Sequence, residues 1–488
     1  MTTSACEPPP PHLLRNFTGG AWTRAESGVV RANVNPADAS DVIGEFPESG
    51  GVDVEHAVGV AADAFAAWQA LDPVRRAGHL ACAARLLEER ADRFAVAITR
   101  EQGKLLVEAR AEVHGAVAAL DFVAGEARRL ERTAVPTVDD RTSAFSFRRP
   151  IGVVGLITTW HLPLATPVRK LAPALLAGCT VVLKPSPLAP LTPALLAEVL
   201  HEAGVPPGVF NLVQGDAAAG EALVDHPSVA GVGFTGSRRV AAAVHRAGSG
   251  RLLRTELDLA GKDTVVVLDD ADLDKAVAAV AAGAFGQAGQ RYGAVGRVVV
   301  DRRVRREFLA RLLPRVASLR LGPGMDPRSE MGPLVDEEHV HACLEAVAKV
   351  RAGGAELLSG GDRAAGGPLG GRYVRPTVLA GDLFAVETAV EEVFGPVVGL
   401  VEADGPDEAV RLVGNVRTAM SVAVFTTSRT RALEAVERLD ASAVHVNRPA
   451  VAAYVPHADA KGAWCGPTEF ASRMWDLSTE WRSARVTL

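Results

Sequence analysis

From residue 151 onward, short uninterrupted apolar runs alternate with segments of helical periodicity. IGVVGLIT (151–158) reads as a strand and LATPVRKLAPALLAG (164–178) as a helix. TVVLKP (180–185) is again a strand, and TPALLAEVLHEAG (192–204) a helix. VFNLVQG, a short helix and VAGVGFTG (229–236) follow. The pattern resumes with TVVVLDD (264–270), a long helix from Leu273, GRVVV (296–300) and the helix RREFLARLLPRVASLR (305–320). Apolar runs too short for helices, bounded by turns and separated by amphipathic helices, predict parallel strands covered on both faces. Before residue 151 the picture differs. RANVNPADASDVIGEFP (31–47) carries strand and turn signals, and Val58, Ala61, Phe65 and Trp68 share one helical face. Periodic helices run on to about Leu130. Residues 133–150, TAVPTVDDRTSAFSFRRP, are strand-like but fit neither a long helix nor a buried strand. The expected fold class is α/β: two doubly wound parallel-sheet lobes plus a small strand-rich element.

Composition narrows the possibilities. At roughly 150 residues per domain, 488 residues leave room for about three domains. A net charge of −6 argues against a partner held by bulk charge, whether nucleic acid or an anionic membrane. The longest apolar stretch, from Ile151 to Val168, is interrupted by Thr158, Thr159, His161 and two prolines, so no membrane span is expected. The opening MTTSACEPPPP lacks the basic and apolar regions of a secretory signal. The five cysteines (Cys6, Cys82, Cys179, Cys343 and Cys465) are scattered, with no C-x-x-C pair. These features together lead to an expected soluble cytoplasmic protein with reduced thiols and no metal site.

The common phosphate-loop, H-E-x-x-H, G-x-S-x-G and G-x-G-x-x-G patterns are all missing. In their place stand TTWHLPL (158–164), LKPSP (183–187), GFTGS (233–237), LDLAGKD (257–263), GQRYG (289–293), MGP (331–333), RPTVL (375–379) and EEVFGP (391–396). In this order and at these separations they resemble the aldehyde dehydrogenase superfamily, over nearly the whole chain. The resemblance implies an NAD(P)-binding domain from 1–129 and 151–257 and a catalytic domain from 258–455. It also implies an oligomerisation element from 130–150 and 456–488, and with it a homodimer or homotetramer acting on a small-molecule substrate.

The cofactor positions of that family carry over well, with NAD or NADP as the implied cofactor. Lys184 falls where the family lysine meets the adenosine ribose. Pro187 stands where many members have an acidic residue, which removes a carboxylate that would repel a 2′-phosphate. Gly236 and Ser237 lie at a strand-to-helix turn suited to phosphate. Trp160 corresponds to a position near the pyrophosphate, and Glu392 and Phe394 to the nicotinamide ribose and ring. Ile157 and Gly220 complete the implied set.

The positions that carry chemistry are altered. The family's nucleophilic cysteine ends a G-Q-x-C string, whereas this chain reads Gly289, Gln290, Arg291, Tyr292. The water-activating glutamate corresponds to Asp258, one methylene shorter. The oxyanion-steadying asparagine corresponds to His161, a residue type that ordinarily titrates near neutrality. A phenol is a poor nucleophile beside a thiol but a good proton donor next to a carbonyl that receives hydride. The expected activity is therefore NAD(P)-dependent hydride transfer without a covalent thioester, with Tyr292, His161 and Asp258 as its acid–base groups. Two alternatives stay open at this stage: a non-redox cyclase, isomerase or lyase on the same fold, and a catalytically silent homologue in which Tyr292 merely fills the pocket.

Overall fold

The computed structural model describes residues 14–130, 132–137, 141–259, 261–364, 371–382, 393–414, 421–441, 443–449, 464–465 and 474–487. Two parallel sheets form its frame, as the alternation of apolar runs and helices predicts. The first runs in the order Trp464–Cys465, Arg254–Leu259, Val229–Gly236, Val153–Ile157, Thr180–Lys184, Phe210–Leu212, Asn16–Thr18, Ala21–Thr23. Its five central strands pair in parallel, and antiparallel strands close both edges. The second sheet places Thr377–Ala380, Val397–Ala403, Val295–Asp301, Asp263–Val267, Ser421–Phe425 and Ala443–Val446 in parallel register, with Glu356–Ser359 antiparallel at one edge. Strands such as Val153–Ile157, Thr180–Lys184 and Asp263–Val267 are buried at every position, which is why they read as continuous apolar runs.

Two strands from this region, Arg132–Val135 and Thr142–Pro150, belong to a separate three-stranded sheet. Thr142–Pro150 pairs antiparallel with both Arg132–Val135 and Thr479–Thr487. Val135, Phe145, Trp481 and Val486 stay exposed on it. The C-terminal segment thus contributes to two sheets, because Trp464–Cys465 pairs with Leu257 and Asp258 of the first.

The chain order of the first sheet locates a crevice. Val153–Ile157 leads to Thr180–Lys184 on one side, while Val229–Gly236 returns to its other side. Strand order reverses between these two neighbours, so the loops after Ile157 and Gly236 diverge at their carboxyl ends. Ligands bind at such a switch point in open α/β sheets. Only three residues separate Leu259, at the end of the first sheet, from Asp263, at the start of the second. The carboxyl ends of one sheet consequently meet the amino ends of the other.

Candidate active site

The loop after Ile157 carries Trp160 and His161, and a buried ion pair holds it in place. Lys104 Nζ lies 2.7 Å from Glu112 Oε2 and donates to the His161 carbonyl at 2.7 Å. The other Glu112 oxygen accepts from the main-chain N–H groups of Leu164 and Ala165, where the helix Ala165–Ala177 begins. A carboxylate at a helix start satisfies donors that have no partner within the helix. Nothing in the sequence pattern marked this pair, since a lysine and a glutamate eight residues apart read as surface charges.

From the second sheet comes the loop bearing Tyr292. Gln287, Ala288 and Gly289 all adopt left-handed backbone conformations, at φ of 53°, 55° and 69°. For the two non-glycine residues this costs on the order of 1–3 kcal/mol each, and surrounding contacts must hold it. Gln287 N–H donates to Glu108 Oε1 at 2.8 Å. Gln290 donates to the Pro333 carbonyl and accepts from Val335 N–H, which ties the loop to the MGP segment. A Cβ at Gly289 would run into the carbonyl of Gly395, so GQRYG and VFGP can press together only with glycine there.

These loops bring together the three residues expected to carry the chemistry. The His161 and Tyr292 rings meet edge to face, with centroids 4.5 Å apart and planes at 86°. The Tyr292 hydroxyl donates to the main-chain carbonyl of Asp258 at 3.4 Å. The Asp258 carboxylate accepts from the Thr235 hydroxyl, also at 3.4 Å. Phe394 packs against His161 at 5.4 Å and Trp160 at 5.9 Å, and His339 against Trp160 at 5.0 Å. Beneath Phe394 lies Lys262, whose amine burial pushes down to about 8.

One expectation needs correction: His161 does not titrate near neutrality. The side chain is 2% exposed, and burial, reinforced by the positive charges of Lys104 and Arg169, holds its pKa well below the ordinary value. The ring is neutral at pH 7. Nδ1 lies 2.8 Å from the Thr159 hydroxyl, while Nε2 is buried with no hydrogen-bond partner.

The expected cofactor residues line the switch-point crevice. Ile157 and Lys184 end neighbouring strands, and a Cβ at Gly220 would lie 3.6 Å from Lys184 Cδ and 3.9 Å from Ile157 Cδ1. Lys184 Nζ donates to the carbonyls of Pro185 and Gly215, both at 2.8 Å, and burial pushes it down to about 8. Gly236 has no room for a Cβ beside the Phe234 ring. Ser237 caps the 12-residue helix Arg238–Ser249, its hydroxyl accepting from Val240 N–H. Pro187 sits half-buried in the turn after Lys184. A buried lysine and a long helix's N-terminus at the carboxyl ends of neighbouring strands suit a dinucleotide. Glu392 lies outside the described residues.

Across residues 22–483 the sequence matches the pattern described as the aldehyde dehydrogenase family. The chain belongs to that family. It is 36% identical over 434 residues to the α-ketoglutaric semialdehyde dehydrogenase of Bacillus subtilis (strain 168), covering 88% of this chain and 89% of that protein. A second relative, the 2,5-dioxopentanoate dehydrogenase of Saccharolobus solfataricus, is 36% identical over 443 residues, 90% of this chain and 92% of its own. Among solved structures, an NADP-dependent enzyme of E. coli superposes with a TM-score of 0.93 at 30% identity, covering 99% of this chain and 100% of that one. A variant of the betaine aldehyde dehydrogenase of Staphylococcus aureus, in complex with NAD+, gives a TM-score of 0.94 at 28% identity, covering 97% of each chain. The aldehyde dehydrogenase-like α/β fold expected from sequence is the fold observed, and the family members it resembles use NADP or NAD+, matching the expected NAD or NADP.

Proposed function

We propose that this family member moves hydride between NAD(P)H and a carbonyl, imine or conjugated double bond without forming a thioester, and that Tyr292 supplies the proton. The observation that carries this reading is the placement of Tyr292, with its ring against neutral His161 and its hydroxyl on the Asp258 carbonyl. Cys179 and Cys343 offer no ready substitute for a nucleophile at residue 292. Burial pushes Cys343 up to about 12 and Cys179 up to about 11, and a protonated thiol is a weak nucleophile.

The cofactor, when bound, supplies or accepts the hydride. Ile157, Lys184, Gly220, Gly236, Ser237 and Trp160 would hold its adenosine and phosphate portions, and Phe394 and Glu392 its nicotinamide end. For an aldehyde the balance is R–CHO + NAD(P)H + H+ giving R–CH2OH + NAD(P)+. As charge builds on the substrate oxygen, the Tyr292 hydroxyl gives up its proton and His161 hydrogen-bonds the same oxygen. Asp258 accepts from Tyr292 through its main-chain carbonyl.

The similar proteins are named for α-ketoglutarate semialdehyde and 2,5-dioxopentanoate, which points to a carboxylate-bearing carbonyl substrate here. The positive charge of Arg169, close enough to act on His161, is consistent with an acidic substrate. The exposed Val135, Phe145, Trp481 and Val486 of the small sheet support assembly into a homodimer or homotetramer.

The deciding experiment incubates the protein with α-ketoglutarate semialdehyde and NADPH or NADH and identifies the product. Alcohol formed in step with cofactor oxidation, and insensitive to iodoacetamide, is expected. Acid formed from NAD(P)+ and abolished by iodoacetamide would replace this reading with thiol-dependent oxidation.

A further inference from the structure

The His161 ring stands against the Tyr292 ring, its buried Nε2 has no hydrogen-bond partner among the described residues, and the side chain that faces the opposite nitrogen decides what Nε2 can do. A neutral imidazole carries one N–H, and the hydrogen bond at one nitrogen sets the role of the other. The Thr159 hydroxyl and His161 Nδ1 are 2.8 Å apart, so one proton lies between them. If Nδ1 held it, the Thr159 hydroxyl proton would need another acceptor. None among the described residues takes it. If the hydroxyl donates, both Thr159 and Nδ1 are satisfied, and the ring proton lies on Nε2.

We propose that Thr159 is a positioning residue: its hydroxyl donates to Nδ1, fixes His161 as the Nε2–H tautomer and so makes Nε2–H the hydrogen-bond donor to the substrate oxygen. A buried donor left unpaired is unfavourable, and a substrate oxygen at Nε2 would satisfy it. The electrostatics agree. Lys104 and Arg169 place positive charge around the ring, which opposes its protonation and favours negative charge on an oxygen bound to it. Thr159 enters through the second residue of TTWHLPL, where a threonine reads as an ordinary loop residue.

The tautomer assignment concerns the protein alone, whereas the role toward substrate rests on the hydride-transfer reading above. Long-range 1H–15N correlation spectra of histidine-labelled protein report the tautomer directly, with His161 identified by its disappearance in His161→Gln. The parent should show Nε2–H. Thr159→Val should lose the single-tautomer signature and cut turnover of α-ketoglutarate semialdehyde with NADPH about fivefold or more, with NADPH affinity unchanged. Thr159→Ser, which restores the hydroxyl, should recover both, and this rescue separates positioning from a fold defect. An Nδ1–H parent, or a folded Thr159→Val that keeps both tautomer and turnover, overturns the proposal. Should the Nε2–H form appear and depend on Thr159 while no carbonyl compound is reduced, the tautomer assignment stands and the hydride-transfer reading falls.

Discussion

The imidazole of His161 and the phenol of Tyr292 stand edge to face, 4.5 Å between centroids, at the meeting of two sheets that contribute one residue each. The contact couples their sizes. An asparagine and a cysteine, the residues that the resemblance implies at these places, would leave the volume between them open. Two aromatic rings fill it and present two O–H or N–H groups where the smaller pair would present a thiol and an amide. The proposed hydride transfer rests on this proton-donating pair.

Removing one member of the Lys104–Glu112 pair should be costly. Both side chains are fully buried, and an unpaired buried charge typically costs about 3–5 kcal/mol. Lys104→Met should lower unfolding free energy in urea by that order, and Glu112→Gln should also destabilise, through the helix start at Leu164 and Ala165. Lys104→Met with Glu112→Leu should cost less than the two single changes added together. A loss below about 1 kcal/mol for Lys104→Met would show that the pair contributes little.

Cofactor affinity should depend on pH through Lys184. Burial pushes its amine down to about 8, so the ammonium is present below that pH and lost as pH rises through it. The attraction for a 2′-phosphate disappears with the charge, whereas a neutral amine can still hydrogen-bond ribose hydroxyls. Between pH 7 and 9, NADPH should bind about tenfold more weakly, the change expected from one unit beyond a pKa, and NADH should change less. Lys184→Met should weaken binding at pH 7 and flatten the profile. Fluorescence titration reads both, and a flat NADPH profile in the parent would remove Lys184 from the ribose site.

The strands were legible because burial on both faces forces continuous apolar runs, as in Val153–Ile157 and Asp263–Val267. The neighbours of the chemistry were legible through motif strings, since Tyr292, His161 and Asp258 occupy places that the resemblance identifies. What their surroundings do to them was not. The neutral state of His161 comes first from its burial and then from Lys104 and Arg169, 57 residues before it and eight after, and only the fold sets these. Thr159 carried no signal because a hydroxyl's role depends on the atom opposite it. The left-handed run at Gln287–Gly289 was equally hidden, as only its glycine announces such a conformation.

Thiol reagents should leave activity intact. Cys179 and Cys343 are buried with raised pKa values, and Cys82 lies on the helix Pro73–Glu89, away from the crevice. Iodoacetamide treatment should therefore preserve turnover, and Cys343→Ser and Cys465→Ser should each retain it. Tyr292→Cys alone should gain little aldehyde oxidation, because His161 and Asp258 remain. Robust oxidation of simple aldehydes by the parent, lost on alkylation, would contradict this.

The sharpest prediction concerns the Tyr292 hydroxyl. Tyr292→Phe keeps the ring against His161 and deletes only the group that donates to the Asp258 carbonyl. That hydrogen bond is long and contributes little to stability, so the variant should fold as the parent does. A positioned acid commonly contributes about 10²–10⁴-fold to a proton-transfer step. Turnover of α-ketoglutarate semialdehyde with NADPH should fall about tenfold or more, with NADPH affinity nearly unchanged, because the lysine and helix end that would hold the cofactor lie elsewhere in the crevice. Asp258→Asn should lose less, since the bond to Tyr292 uses the main-chain carbonyl and Asn keeps an acceptor for Thr235. If Tyr292→Phe turns over as fast as the parent, the phenol only fills space, and the proton must come from Nε2–H of His161, which His161→Gln would then expose.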